Sequence, residues 1–236
     1  MNYFSYKTYE ELSNHAAKII ADVVKSKKGA VLGLATGSTP VGTYKKLIEW
    51  NKNGELSFKD VTTVNLDEYC SLDGSHDQSY RYFMNDNLFN HVDIDKSKTF
   101  VPNGCAEDFV KEGLDYDKMI EDLGGTDIQL LGIGLDGHIG FNEPADVFTK
   151  ETHVVDLHPS TIEANARFFE KIEDVPKKAI TMGMMSIMKA KKILLIANGE
   201  KKKAIVEKSF NGPIDPQVPA SILQVHPDVT VIFSEE

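Results

Sequence analysis

Within eight positions, Asp136, His138 and Glu143 place an imidazole between two carboxylates. A ring flanked in this way is oriented and its protonated form is favoured, which suits a group that moves a proton between two oxygens. A histidine hydrogen-bonded in a loop for purely structural reasons is the competing reading. The surrounding segment GIGLDGHIGFNEP, Gly132 to Pro144, also spells G-x-G-x-x-G through Gly132, Gly134 and Gly137. A dinucleotide fingerprint needs a strand, a glycine turn, a helix and an acid about 20 residues further on. DIQLLGIG supplies a strand and Asp156 an acid, but Gly140, Asn142 and Pro144 interrupt any helix. The nucleotide reading is therefore rejected, and no cofactor or metal is expected. The glycines instead let the backbone turn tightly and approach a ligand.

Three further stretches could share that site. LATGSTP, Leu34 to Pro40, joins a strand to a helix beginning near Val41. Gly37 allows backbone N–H groups to approach an anion, Ser38 and Thr39 add hydroxyl donors, and the helix start adds partial positive charge. A capped turn with Pro40 at the first helical position fits the same residues equally well. NLDEYC puts Asp67 and Glu68 at the end of the run VTTVNL. Two such acids are commonly solvated loop charges, although a carboxylate in a half-buried crevice gains proton affinity and can act as a base. Finally, EANARFF carries Arg167, and NGEKKKA carries Lys201, Lys202 and Lys203 at a helix start. Lysines there oppose the helix dipole, which points to a compensating anion for one of them and to plain solvation for the others.

The elements that must position these residues alternate along the chain. Thr8 with Glu11 reads as a capping box, and Leu12, Ala16, Ile19, Ile20 and Val23 follow at helical spacing towards Lys25. AVLGLA, VTTVNL, DIQLLGIG, AITMG, KILLIA and VTVIF are apolar runs that suit strands buried on both faces of a parallel sheet. Helical patterns such as QSYRYFMNDNLF and EKKKAIVEKSF lie between them. The expected fold is α/β: a doubly wound, mostly parallel, Rossmann-like sheet sandwiched by helices, in a single domain over residues 1–236. Open sheets of this kind bind ligands at the carboxyl ends of their strands, which is where the candidate residues fall.

Composition narrows the partners. With 41% hydrophobic residues, a chain of 236 residues can bury a real core. A balance of 26 Lys+Arg against 36 Asp+Glu, a net −10, repels nucleic acid and anionic membrane. The two cysteines, Cys70 and Cys105, match no metal or redox spacing and are read as buried free thiols in a reducing compartment. No basic-then-apolar leader opens the chain, and no apolar run approaches the ~18 residues of a membrane span. A cytoplasmic location is expected.

Taken together, LATGSTP, NLDEY, GIGLDGHIGFNEP, ARFF and PASILQVHPDVTVI closely resemble the glucosamine-6-phosphate deaminase (isomerase) family, from near the N-terminus to the last strand. DGHIGFNEP is the most specific element; the related 6-phosphogluconolactonases typically continue their Gly-His towards Ser-Leu-Phe-Pro. The resemblance implies conversion of D-glucosamine 6-phosphate and water to D-fructose 6-phosphate and ammonium, in amino-sugar catabolism, without a cofactor. It implies that His138 shuttles the ring-opening proton between O1 and O5, that Asp136 and Glu143 orient it, and that Asp67 takes the C2 proton and returns it at C1. It also places Gly37, Ser38, Thr39, Arg167 and one lysine around the phosphate. Family spacing, three residues after Gly199 and ten before Gly212, selects Lys202, with Lys203 one residue away.

The resemblance also bears on assembly. Longer members of the family form hexamers activated by N-acetylglucosamine 6-phosphate, held by a serine, an arginine, a lysine and a tyrosine of a C-terminal extension. By alignment Asp146, His153 and Val155 stand for the first three, and the chain stops at Glu236, soon after VTVIF. A monomer or small homo-oligomer with hyperbolic kinetics is expected. A sugar-phosphate lactonase and a non-enzymatic sugar-phosphate sensor are the alternatives.

Overall fold

The computed structural model describes residues 1–157, 159, 162, 163, 166, 169 and 171–236. A seven-stranded sheet runs in the order β1 (Asn2–Tyr6), β10 (Val229–Ser234), β9 (Ile193–Asn198), β6 (Ile128–Leu131), β2 (Val31–Leu34), β3 (Thr62–Asn65) and β5 (Thr99–Phe100). All its neighbours pair parallel. From β2 the chain proceeds outward through β3 to β5, then returns to the other side of β2 with β6 and continues to β9 and β10. The reversal leaves a crevice between the carboxyl ends of β2 and β6, the place where such sheets hold ligands. β2 and β6 are buried at every position, as two-sided cover by helices demands.

The capping box forms as expected: Thr8 Oγ1 accepts from Glu11 N–H, Glu11 accepts from Thr8 N–H, and helix α1 follows over Tyr9–Ser26. Its apolar stripe, including Leu12, Ala16 and Ile20, enters the main core and packs beside α2 (Val41–Lys52). Helices α3 (Tyr80–Asn87), α4 (Phe109–Asp122), α5 (Met184–Met188) and α6 (Lys203–Asn211) follow.

Several expectations need correction. AITMG does not join the parallel sheet; its residues form β8 (Lys178–Thr181), the middle strand of a separate antiparallel sheet between β4 (Asp67–Tyr69) and β7 (His153–Asp156). Pro40 is the N-cap of α2 rather than its first helical residue. A 3-10 turn over Glu200–Lys202 precedes α6, so the lysines straddle two elements. Cys70 is buried, but Cys105 is exposed, and both are free thiols. Their segments adjoin, because Ser71 N–H donates to Gly104 O at 2.7 Å.

Candidate active site

Four neighbouring strands, β9, β6, β2 and β3, deliver the candidate residues to one end of the sheet. After β2, residues 35–40 turn into α2, with Gly37 at φ 95, a backbone conformation open chiefly to glycine. The turn is clamped from α1: the Tyr9 hydroxyl reaches Ser38 O at 3.1 Å and Thr39 O at 2.8 Å and accepts from Gly42 N–H at 2.7 Å. Thr39 Oγ1 donates to Asn198 Oδ1 at the end of β9, at 2.7 Å. Tyr9 and Asn198 were not legible as parts of the site. Asn198 leaves a signal, a polar residue ending a buried run; Tyr9, 30 residues from the turn it grips, leaves none.

The loop after β6 closes on itself. Gly134 N–H donates to His138 O at 2.9 Å, and Gly137 N–H donates to Gly134 O at 3.2 Å. A Cβ on Gly134 would lie 2.3 Å from Nδ1 and Cε1 of His138 and 2.6 Å from Asp136 Oδ1, so the imidazole rests on that glycine. Gly137, at φ 94, packs against Val218 and Ile205, and its carbonyl accepts from Ala220 N–H at 2.8 Å.

Asp136 Oδ1 lies 2.7 Å and Glu143 Oε2 3.3 Å from His138 Nδ1. Burial opposes a charged imidazole, but the two carboxylates outweigh it and raise His138 to about 9. Burial also works against ionised Asp136, yet contact with His138 holds that carboxyl well below the usual range. The pair is an imidazolium–carboxylate at neutral pH. With Nδ1 turned to the carboxylates, Nε2 is the nitrogen left for a ligand. The donor atoms of Asp136, His138 and Glu143 converge within 4.8 Å, close enough for a metal ion.

Asp67 opens β4 opposite Thr181 of β8 and is 6% exposed. The glycine-rich loop passes directly over it: at Gly140, φ 58, a Cβ would stand 2.8 Å from Thr181 Oγ1 and 3.6 Å from Asp67 Oδ2. Thr181 Oγ1 in turn accepts from Phe141 N–H at 2.9 Å, and Asn142 Nδ2 donates to Ile139 O and Met182 O. Burial, reinforced by the neighbouring Glu68 and moderated by His138, raises Asp67 to about 8. Successive strand residues face opposite ways, so Glu68 cannot share the crevice with Asp67.

Lys202 enters the site and Lys203 does not. Lys202 is half-buried, its Nζ donates to Ile133 O at 2.6 Å, and burial lowers its proton affinity against the pull of Asp136. Lys203 is exposed and pairs with Glu200. Arg167 lies outside the described residues. Tyr80, which composition alone did not single out, stacks on Phe141 with ring centroids 6.0 Å apart and the planes 6° from parallel.

An anion-ready turn, a half-buried lysine, an imidazolium held by two acids and a separate buried carboxylate thus meet at the switch point of a doubly wound sheet. They define an α/β protein with titratable side chains gathered at the carboxyl end of its parallel sheet. The chain belongs to the family of glucosamine-6-phosphate isomerases/6-phosphogluconolactonase, whose model matches residues 5–232. It is 59% identical over 232 residues to a glucosamine-6-phosphate deaminase of Lachnoclostridium phytofermentans, covering 98% of each chain. A Clostridium perfringens glucosamine-6-phosphate deaminase is 58% identical over 230 residues, covering 98% of this chain and 95% of that one. The solved structure of a monomeric glucosamine-6-phosphate deaminase superposes with a TM-score of 0.96 at 50% identity, over 99% of this chain and 97% of the other. A 6-phosphogluconolactonase from Trypanosoma cruzi, at 22% identity and a TM-score of 0.75 over 99% and 94%, shares the fold. Among the described residues, no helix is long and apolar enough to cross a membrane.

Proposed function

We propose that this protein is a glucosamine-6-phosphate deaminase, converting D-glucosamine 6-phosphate and water to D-fructose 6-phosphate and ammonium. One observation carries the reading: Asp67 and His138 are two separate proton-handling groups at the ends of neighbouring parts of one crevice. Opening a sugar ring moves a proton between oxygens, while enolisation needs a second base beside a C–H bond. Hydrolysis of a lactone has no use for the second group.

His138, protonated at neutral pH, gives its proton to the ring oxygen O5 and recovers one from O1, with Asp136 and Glu143 holding the ring. Asp67 then removes the C2 proton of the open chain and returns it at C1. An ammonium at C2 of the substrate adds positive charge beside Asp67 and favours its ionised form. The imine at C2 takes up water and releases ammonia, the hydrolytic part of the reaction. Gly37, Ser38, Thr39, Lys202 and Arg167 hold the phosphate.

Residues 1–236 act as one unit, in the cytoplasm, in amino-sugar breakdown such as the use of N-acetylglucosamine. The working form is a monomer, as reported for the 50% identical relative. The positions aligned with the family's effector ligands support this: Asp146 is exposed and acidic, and Val155 packs against the cluster around Tyr69 and Phe141. An acid repels phosphate and a valine cannot donate to it.

The decisive experiment incubates the protein with glucosamine 6-phosphate and follows ammonium release. Hydrolysis of 6-phosphogluconolactone without any ammonium from the amino sugar would sink the proposal.

A further inference from the structure

Glu68 is the acid that the proposed chemistry leaves unused, yet it is 2% exposed. Among the described residues no lysine, arginine or histidine forms a salt bridge with it. Its carboxylate is held by backbone instead: Oε1 accepts from Tyr69 N–H and Tyr80 N–H, both at 2.8 Å, and Oε2 accepts from Arg81 N–H at 2.9 Å. Tyr80 and Arg81 are the first two residues of α3, and the next N–H, that of Tyr82, goes to the N-cap Ser79 Oγ. Ser79 and Glu68 together satisfy the opening N–H groups of the helix, and the negative charge sits at its positive end.

This arrangement reaches the crevice by two routes. Tyr80 lies over Phe141 of the loop that covers Asp67, and its ring also approaches Tyr69, with centroids 4.7 Å apart. The other route is the strand itself, since Glu68 and Asp67 share one peptide bond. Resting on the function proposed above, we infer that Glu68 is a positioning residue for Asp67: its buried carboxylate bolts the strand end to α3 and keeps one negative charge directly behind the base.

The titratable groups facing Asp67 among the described residues are Glu68 on its own strand, His138 from the loop after β6, Tyr69 of β4, Tyr80 of α3 and Tyr116 of α4. Arg81 faces Glu68, with its guanidinium hydrogen-bonded to Thr99 Oγ1 and Thr99 O. Of these, Glu68 is the negative charge that disfavours a second negative charge on Asp67, and His138 is the positive one that offsets it.

The test compares Glu68→Gln and Glu68→Asp with the parent protein, measuring kcat/KM for ammonium release across pH 5–10 together with Tm. Gln keeps one acceptor oxygen and removes the charge; the limb rising with pH should move down by roughly one unit, as expected for losing an adjacent like charge. Asp keeps the charge but falls short of α3, so its limb should stay while kcat drops. A lowered Tm with an unmoved limb in Glu68→Gln would mean a merely structural role and would overturn the inference. A second measurement needs no activity: 13C-carboxyl NMR titration of Asp67 in the parent, in Glu68→Gln and in Glu68→Asp. Asp67 ionises beside an already charged Glu68, so its midpoint should fall in Glu68→Gln and stay high in Glu68→Asp. An identical midpoint in the parent and in Glu68→Gln would also overturn it. If the parent releases no ammonium, the functional proposal fails while this titration still decides the coupling of the two acids.

Discussion

Asp136 Oδ1 stands 2.7 Å from Nδ1 of His138 and also accepts from the His138 backbone N–H at 3.1 Å, so one carboxylate oxygen grips both the ring and the peptide of the same residue. Ring orientation and ring charge are set by one contact. Asp136→Asn should keep the backbone bond and lose the charge. The midpoint of His138, about 9 in the parent, should fall towards 6.5 in an NMR titration, and ring opening should slow. An unchanged midpoint would assign the raised value to Glu143 instead.

Asp67→Asn should abolish both ammonium release and exchange of the C2 hydrogen with deuterated solvent, while substrate analogues still bind. The same variant should be more stable than the parent at pH 8, by about 0.5–2 kcal/mol, the scale of a single stabilising substitution, because it removes a charge that burial and Glu68 disfavour. Urea unfolding measures it. Solvent exchange at C2 continuing at the parent rate would remove Asp67 from the role of base.

Stability should also fall as pH rises, and the sign follows from the two raised groups. Asp67 has a folded value of about 8 against an ordinary 3.8, so its contribution is complete below the lower value and lost as pH climbs through the higher. His138, at about 9 against 6.5, behaves the same way over its own window. Tm should therefore decline between pH 6 and 9, and Asp67→Asn should flatten the lower part of that decline. A parent Tm that rises across this range would contradict both assignments.

Lys202→Ala should weaken binding of a sugar phosphate by about 1.5–3 kcal/mol, the scale of a charged hydrogen bond, with little effect on the unphosphorylated sugar. Lys203→Ala should stay within about 0.5 kcal/mol, because an exposed ion pair contributes little. Calorimetric titration of both variants against both sugars separates the residues. Equal losses at the two positions would refute the choice of Lys202.

Gly134→Ala should leave the protein folded and cut turnover by ~100-fold, since a Cβ there would enter the space of the His138 ring and a small misplacement of a catalytic group has that scale of effect. The imidazole has to move, and Asp136 with it. Near-normal turnover would show that the ring position is not critical.

Much of this fold is legible in the chain because long buried runs such as KILLIA and DIQLL have no other use than a covered parallel strand. The small antiparallel sheet is not, for a physical reason: Asp67–Tyr69 and His153–Asp156 are short, mixed in polarity, and paired by their surroundings rather than by a pattern of their own. β1 escapes for the opposite reason, being an exposed edge strand with no buried face to write into the sequence. In the site, the residue types and the loop around His138 could be read directly. The choice of Asp67 over Glu68 and of Lys202 over Lys203 came from resemblance, because each depends on which way a side chain points. In the structure, strand alternation turns the two acids to opposite faces, and the helix entry after Gly199 buries Lys202 more than Lys203.

Lys202 has three N–H donors and gives one to Ile133 O, at 2.6 Å. Ile133 sits immediately before Gly134, whose N–H closes the turn onto His138 O. On the proposed function, the lysine that meets the phosphate is tied to the peptide from which the proton-shuttling turn hangs. The two ends of the substrate are then gauged from a common datum, as two holes are drilled from one template. A sugar one carbon longer or shorter between its phosphate and its ring oxygen would seat at one end and miss at the other.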